Sequence, residues 1–209
     1  SVLYNDDQAF NELGEVADYF LVHNREIYAP LDDSVVVVIN NKPRFIRRSR
    51  GYVPEPIHCD GLEQTSILAM GSDLKNAFAM NKGSEVLVGP HIGDLENIST
   101  HETLEWTIKR YKSLFSVQPD KIIIDSHPQF FSSRLGEKIG ESFHLSVVPV
   151  QHHHAHIASV MAEHNLRGLV LGIAMDGTGY GPDGTIWGGE FLLCKGNQYQ
   201  RLAHIHAAP

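Results

Sequence analysis

The chain has 209 residues, 42% hydrophobic and 20% charged, enough apolar material for a sizeable core and unlike a disordered or fibrous chain. Its 17 Lys and Arg against 25 Asp and Glu leave a net charge of −8, which repels phosphate backbones and argues against a nucleic-acid partner. Two distant cysteines, Cys59 and Cys194, exclude a disulfide scaffold and a CxxC zinc finger; with no apolar run near the ~18–20 residues of a membrane span, they point to a reducing cytoplasm.

The first elements read helix, strand, strand. Asp6 or Asp7 caps a predicted helix reaching about Leu21, with Phe10, Leu13, Val16, Ala17 and Phe20 on one face. A β-branched run over 34–39, a turn at Asn40-Asn41-Lys42-Pro43 and a return over 44–48 predict a hairpin. One helix and one hairpin cannot close a core, so residues 1–57 read as the end of a domain that begins elsewhere. The Pro- and Gly-rich stretch RGYVPEPIHCDGLEQ contains the expected boundary, with 58–65 as linker.

From residue 66 the pattern alternates. Apolar runs at 67–70 and 77–80 around GSDLKN predict a hairpin, and 85–88 a further strand. A helix from Ser99 or Thr100 to Phe115 precedes a buried strand at 121–125. A helix over 130–139 and a strand over 145–150 follow, then a helix over 152–165 and a third buried strand over 169–175. After a glycine-rich loop, 189–194 returns as a strand. Short apolar strands joined by amphipathic helices predict an α/β fold with a mixed, largely parallel central sheet.

Four of the thirteen histidines fall within five positions, in QHHHAH at the start of a predicted helix. His152 and His156 stand at i and i+4, with Cβ atoms ~5–6 Å apart, close enough to share a metal at ~2.0–2.1 Å. No Glu lies between them, so this is not the HExxH metalloprotease arrangement. His153 and His156, at i and i+3, are the alternative pair. Asp176 closes an apolar strand at the carboxyl end, where ligand sites of α/β sheets gather, and supplies a third ligand. Two His and one Asp suit Fe(II), Zn or Mn with positions left open.

The loop DGTGYGPDG, with Gly177 and Gly179, allows close backbone approach to an anion, or forms a plain hairpin. Ser72, Lys75 and Asn76 in GSDLKNAF either hold a phosphate or form a solvated tip. Five basic residues between Lys42 and Arg50 are a solvated face or, with Ser34, an anion site.

Taken together, QHHHAHIASVMAEHNL, MDGTGYGPDGTIWGGEF, HIGDLEN, DSHPQFFSSRL and LAMGSDLKNAF resemble the HypF family, carbamoyltransferases of [NiFe]-hydrogenase maturation. ADYFLVHNREI, LDDSVV and IRRSRGYVPEPI resemble the end of that family's YrdC-like domain. The resemblance implies residues 1–57 from the YrdC-like domain and 66–209 from the first part of a Kae1-like domain of the actin-like, sugar-kinase-like superfamily. It implies His152, His156 and Asp176 as ligands of a divalent metal, Fe or Zn, with Asp176 catalytic. It implies a nucleotide site drawing on Ser34, Arg47, Arg50, Ser72, Lys75, Asn76, Gly177 and Gly179, where ATP binds with Mg. The family's substrates are carbamoyl phosphate and ATP; a carbamoyl adenylate forms, and the carbamoyl group passes to the C-terminal cysteine thiol of a HypE-type partner. Related O- or N-carbamoyl and threonylcarbamoyl transferases, or a non-catalytic metal-binding docking module, are the alternatives. Where family members carry Arg before DDSV, this chain has Ala29-Pro30-Leu31.

Overall fold

A computed structural model describes residues 3–62 and 64–206. Helix α1 (Asp6–Leu13) is capped by Asn5, whose side-chain oxygen accepts from the Gln8 amide at 3.0 Å. It stops at Gly14, well short of Leu21, and buries none of its residues. Its apolar face has little to pack on beyond a Phe10–Phe20 ring contact at 4.9 Å, and a short helix without tertiary support does not propagate. Strands β1 (Val35–Ile39) and β2 (Lys42–Arg47) form the expected hairpin. Asn40 and Asn41 take φ of 51° and 58°, the two positive values a type I′ turn requires.

The main sheet has six strands: β3 (Ile57–His58), β4 (Ile67–Ala69), β5 (Ala79–Lys82), β6 (Glu85–Val88), β7 (Lys121–Asp125) and β8 (Ser146–Val150). Their order is β3-β6-β5-β4-β7-β8. The sheet is mixed as expected, but its parallel part is confined to β4, β7 and β8; the other neighbours pair antiparallel. Helices α2 (Ile98–Phe115) and α3 (Phe131–Phe143) make the two crossovers that parallel neighbours need. Leu68, Met70, Phe78, Met80, Leu104, Ile108, Ile122 and Leu135 form the core between them.

The expected linker over 58–65 is tied to this sheet. His58 lies in β3, the Cys59 amide donates to the Ser84 carbonyl, and Asn81 Nδ2 donates to the carbonyls of Leu62 and Thr65. Those partners lie some 15–25 residues on, beyond the reach of local turn signals.

Helix α4 (His152–Glu163) leads to β9 (Val170–Ala174), which does not join β8. It opens a second sheet, ordered β13-β12-β9, with β12 (Glu190–Lys195) and β13 (Gln198–His204); the small hairpin of β10 (Gly179–Tyr180) and β11 (Ile186–Trp187) intervenes. β9–β12–β13 thus repeats the antiparallel meander of β4–β5–β6. β9 was expected to be buried on both faces, yet Leu171 and Ile173 are exposed, while Gly172 and Ala174 are buried and Val170 packs against the core from the same face. Gly172 is required there: a Cβ would lie 2.3 Å from Ile157 Cδ1 and 2.6 Å from its Cγ2. Gly172→Ala should therefore push α4 off β9 and cost roughly 1–3 kcal/mol in urea unfolding; an unchanged midpoint would show that this packing yields freely.

Candidate metal centre

β7 and β8 run parallel, so their carboxyl ends share one edge, with Asp125 opposite Val150. Gln151 then turns the chain into α4 as its cap, its side-chain oxygen accepting from the His154 amide at 2.9 Å. His152 is thereby placed at the sheet edge and His156 one turn further along. β9 delivers Asp176 to the same place.

The three side chains converge. Asp176 Oδ2 lies 2.9 Å from His152 Nε2 and 3.5 Å from His156 Nε2, and the two Nε2 atoms are 3.2 Å apart. Two donors each ~2.0–2.1 Å from one ion are ~2.9 Å apart at a right angle and ~3.3 Å at the tetrahedral angle. The observed separations of 2.9, 3.2 and 3.5 Å lie close to these values. The set fits a divalent ion, and the outward side is accessible: the side chains of His156 and Asp176 are 57% and 38% exposed. The i, i+4 pair with Asp176 is thus the cluster formed among the described residues.

Charge gathers around His152. Its Nδ1 lies 2.7 Å from Asp125 Oδ2. That hydrogen bond raises the imidazole pKa most; burial opposes it and the charges of Asp125 and Asp176 add to it. The sequence around Asp125 gives it no assigned role. Its contact with His152 depends on β7 lying beside β8, which spacing within either segment does not reveal.

His153 is turned the other way. It is fully buried, with Gln151 Nε2 at 3.1 Å from its Nδ1, and burial lowers its pKa and that of His154. Gly179 is required by this packing, since a Cβ would meet His153 Cε1 at 2.5 Å.

The glycine loop forms a small hairpin, with Gly179 opposite Trp187 and Tyr180 opposite Ile186. Gly177 N–H donates to Asp176 Oδ1 at 2.8 Å, steadying that carboxylate. The amides of Gly181, Gly184, Gly188 and Gly189 are likewise satisfied within the protein.

The Ser72–Lys75–Asn76 turn lies between β4 and β5, and its parts have structural partners. Asn76 is buried, and its Nδ2 donates to the carbonyls of Met70 and Ser72. The Lys75 amide donates to Asp94 Oδ1 with φ at +49°, and the Ser72 hydroxyl sits 3.4 Å from the Leu74 carbonyl. Asp73, which the sequence did not single out, accepts from the amides of Phe131 and Ser132 and so caps α3 from 58 residues away.

In the first segment, Ser34 Oγ donates to the Arg50 carbonyl and accepts from the Ser49 amide. Arg47 pairs with Asp32, and Arg50 lies near Asp33 and the Leu31 carbonyl. The structure brings Ser34, Arg47 and Arg50 together, with both guanidiniums already facing carboxylates.

Two family models match the chain: HypF Kae1-like domain over residues 62–163, and the second subdomain of the carbamoyltransferase Kae1-like domain over 172–209. The chain belongs to the HypF family. A Carbamoyltransferase HypF of Synechocystis is 46% identical over 94% of this chain and 25% of its own length. One from Rhizobium leguminosarum is 40% identical over 98% of the chain and 26% of its own. A crystal structure of full-length HypF in the phosphate- and nucleotide-bound form superposes with a TM-score of 0.91 at 43% identity, covering 98% of this chain and 32% of that one. HypF of T. kodakarensis superposes at 0.90, with 42% identity over 98% of this chain and 27% of that one. The chain therefore spans about a quarter of the length of these curated HypF relatives. No helix among the described residues is long and apolar enough to cross a membrane.

Proposed function

We propose that the chain carries the metal-holding part of an ATP-dependent carbamoyltransferase, with His152, His156 and Asp176 as ligands. The observation that carries this reading is the meeting of three donor atoms at 2.9–3.5 Å, together with relatives named as carbamoyltransferases. A divalent cation there, iron or zinc, supplies a Lewis acid for a phosphate or carbamoyl oxygen. Gly177 N–H holds the Asp176 carboxylate towards the two imidazoles, and His152 is steadied from behind by Asp125. Residues 1–57, with Ser34, Arg47 and Arg50, belong on this reading to a YrdC-like domain in which carbamate, derived from carbamoyl phosphate by loss of phosphate, is activated with ATP to carbamoyl adenylate with release of pyrophosphate. Residues 66–209 belong on this reading to the Kae1-like domain, with Lys75 and Ser72 near the nucleotide; a related full-length HypF is known in a nucleotide-bound form.

The acceptor is a partner's thiol, the C-terminal cysteine of a HypE-type protein, in cytoplasmic synthesis of the cyanide ligand for hydrogenase. Cys194 is a poor nucleophile for that step: it is fully buried, and burial pushes its thiol pKa up, away from the reactive thiolate. In the full-length protein, Asp176→Asn is expected to lower transfer to the partner thiol by ~100-fold or more, the scale of losing one electrostatic stabiliser. ATP–pyrophosphate exchange should stay near its starting rate. Loss of both together would contradict the division of labour between the two domains.

A further inference from the structure

The carboxylate of Asp125 is 7% exposed. Among the described residues, the imidazole of His152 is the basic side chain within ion-pair distance of it. A buried carboxylate without a Lys or Arg partner is costly to keep, and its position shows what it is kept for. Its two oxygens have different work. Oδ1 accepts from the His127 amide at 2.8 Å, and Oδ2 faces His152 Nδ1 at 2.7 Å. The backbone is fixed as well: the Asp125 carbonyl accepts from Ser133 Oγ at 2.9 Å, and the next residue's amide donates to the Val150 carbonyl at 3.0 Å. The ring of His152 cannot turn without leaving this bond.

We propose that Asp125 is a positioning residue, which takes the Nδ1 proton of His152 in a hydrogen bond and so leaves Nε2 as the bare, aimed donor towards His156 and Asp176. This rests on the metal reading given above. A ligating imidazole is fixed in tautomer and orientation by what its other nitrogen donates to, and a carboxylate also raises its basicity. The charges close too, since the carboxylates of Asp125 and Asp176 together balance one divalent cation.

Asn at this position separates positioning from mere shape. Two N–H groups, from His127 and His152, converge on the two oxygens of Asp125, and an amide offers only one oxygen. With that oxygen on the fixed His127 amide, the NH2 faces Nδ1 and drives the His152 proton to Nε2, the atom the cation needs. With the amide reversed, its oxygen still accepts from Nδ1 but its NH2 opposes the fixed His127 amide, and that donor–donor clash displaces the side chain and the ring bonded to it.

The test uses full-length wild type, Asp125→Asn and Ser133→Ala. Zn2+ affinity is read by competition with a chelator, thermal stability is read without metal, and crystal structures of the metal-free forms are compared. Asp125→Asn should weaken Zn2+ binding ~10–100-fold, with the His152 ring turned or the amide nitrogen at Nδ1. Ser133→Ala removes a bond to the Asp125 backbone but keeps the carboxylate, so it should lower the melting temperature while leaving Zn2+ affinity unchanged. Wild-type Zn2+ affinity in Asp125→Asn overturns the proposal, as does an Asp125→Asn affinity loss that Ser133→Ala reproduces in full. A wild type that takes up no Zn2+, yet whose His152 is held by Asp125 and released in Asp125→Asn, refutes the metal reading and supports the orienting contact.

Discussion

His152→Ala is expected to weaken divalent-cation binding by ~100-fold or more, because loss of an outer-shell partner alone costs ~10–100-fold and this removes the ligand itself. The remaining pair is too open to compensate. His156 and Asp176 lie on the accessible side of the cluster, 3.5 Å apart, while His152 is the member anchored on both nitrogens. The same change strips Asp125 of its imidazole neighbour and leaves a buried oxygen without that donor, a loss of about 1–3 kcal/mol in fold stability. His156→Ala makes the informative contrast. Its ring is more than half exposed and its polar contacts are with His152 and Asp176, so cation binding should be weakened and the unfolding midpoint left nearly alone. Chelator competition and urea unfolding on both variants check this. Equal stability losses would mean that Asp125 does not depend on His152 in the fold.

What the sequence made legible follows from which interactions are local. The i, i+4 spacing of His152 and His156 lies within one helix, and the strand ending at Ala174 announces Asp176 by its apolar run; all three converge as spacing implied. The hairpin of β1 and β2, with two Asn in its turn, was equally local. Failures came where a distant segment decides. Asp73 caps α3 and Asp125 braces α4, each from across the fold. The 58–65 stretch has linker composition, yet Ser84 and Asn81 hold it to the sheet. β13 was not read as a strand at all, since QYQRLAH is polar and exposed along most of its length and owes its conformation to pairing with β12. Even β9 was misjudged, as unbroken apolar sequence does not reveal that only one face is covered.

Arg201→Met is expected to destabilise the second sheet by roughly 3 kcal/mol, near the lower end for breaking a buried pair because Arg201 is itself 26% exposed. Its partner Glu190 is fully buried. Arg201 Nε and Nη2 reach the two Glu190 oxygens at 2.6 and 2.8 Å, and the guanidinium lies 3.9 Å over the Trp187 ring. Burial pushes the Glu190 pKa up, but the bonds from Arg201 and the Gly188 amide outweigh it and hold the group below the usual carboxylate value. Without the guanidinium, a charge is left in the core with one amide donor. The damage should also reach the metal centre, since Gly188 and Gly189 adjoin Glu190 and the Gly189 amide donates to the Asp176 carbonyl. Replacing both partners, Glu190→Leu with Arg201→Met, removes the stranded charge and should recover much of the loss. Urea unfolding of the two single variants and the double variant gives the coupling directly. If the two losses simply add, the pair is not the element that binds β12 to β13, and the loop bearing Asp176 is held by its hairpin alone.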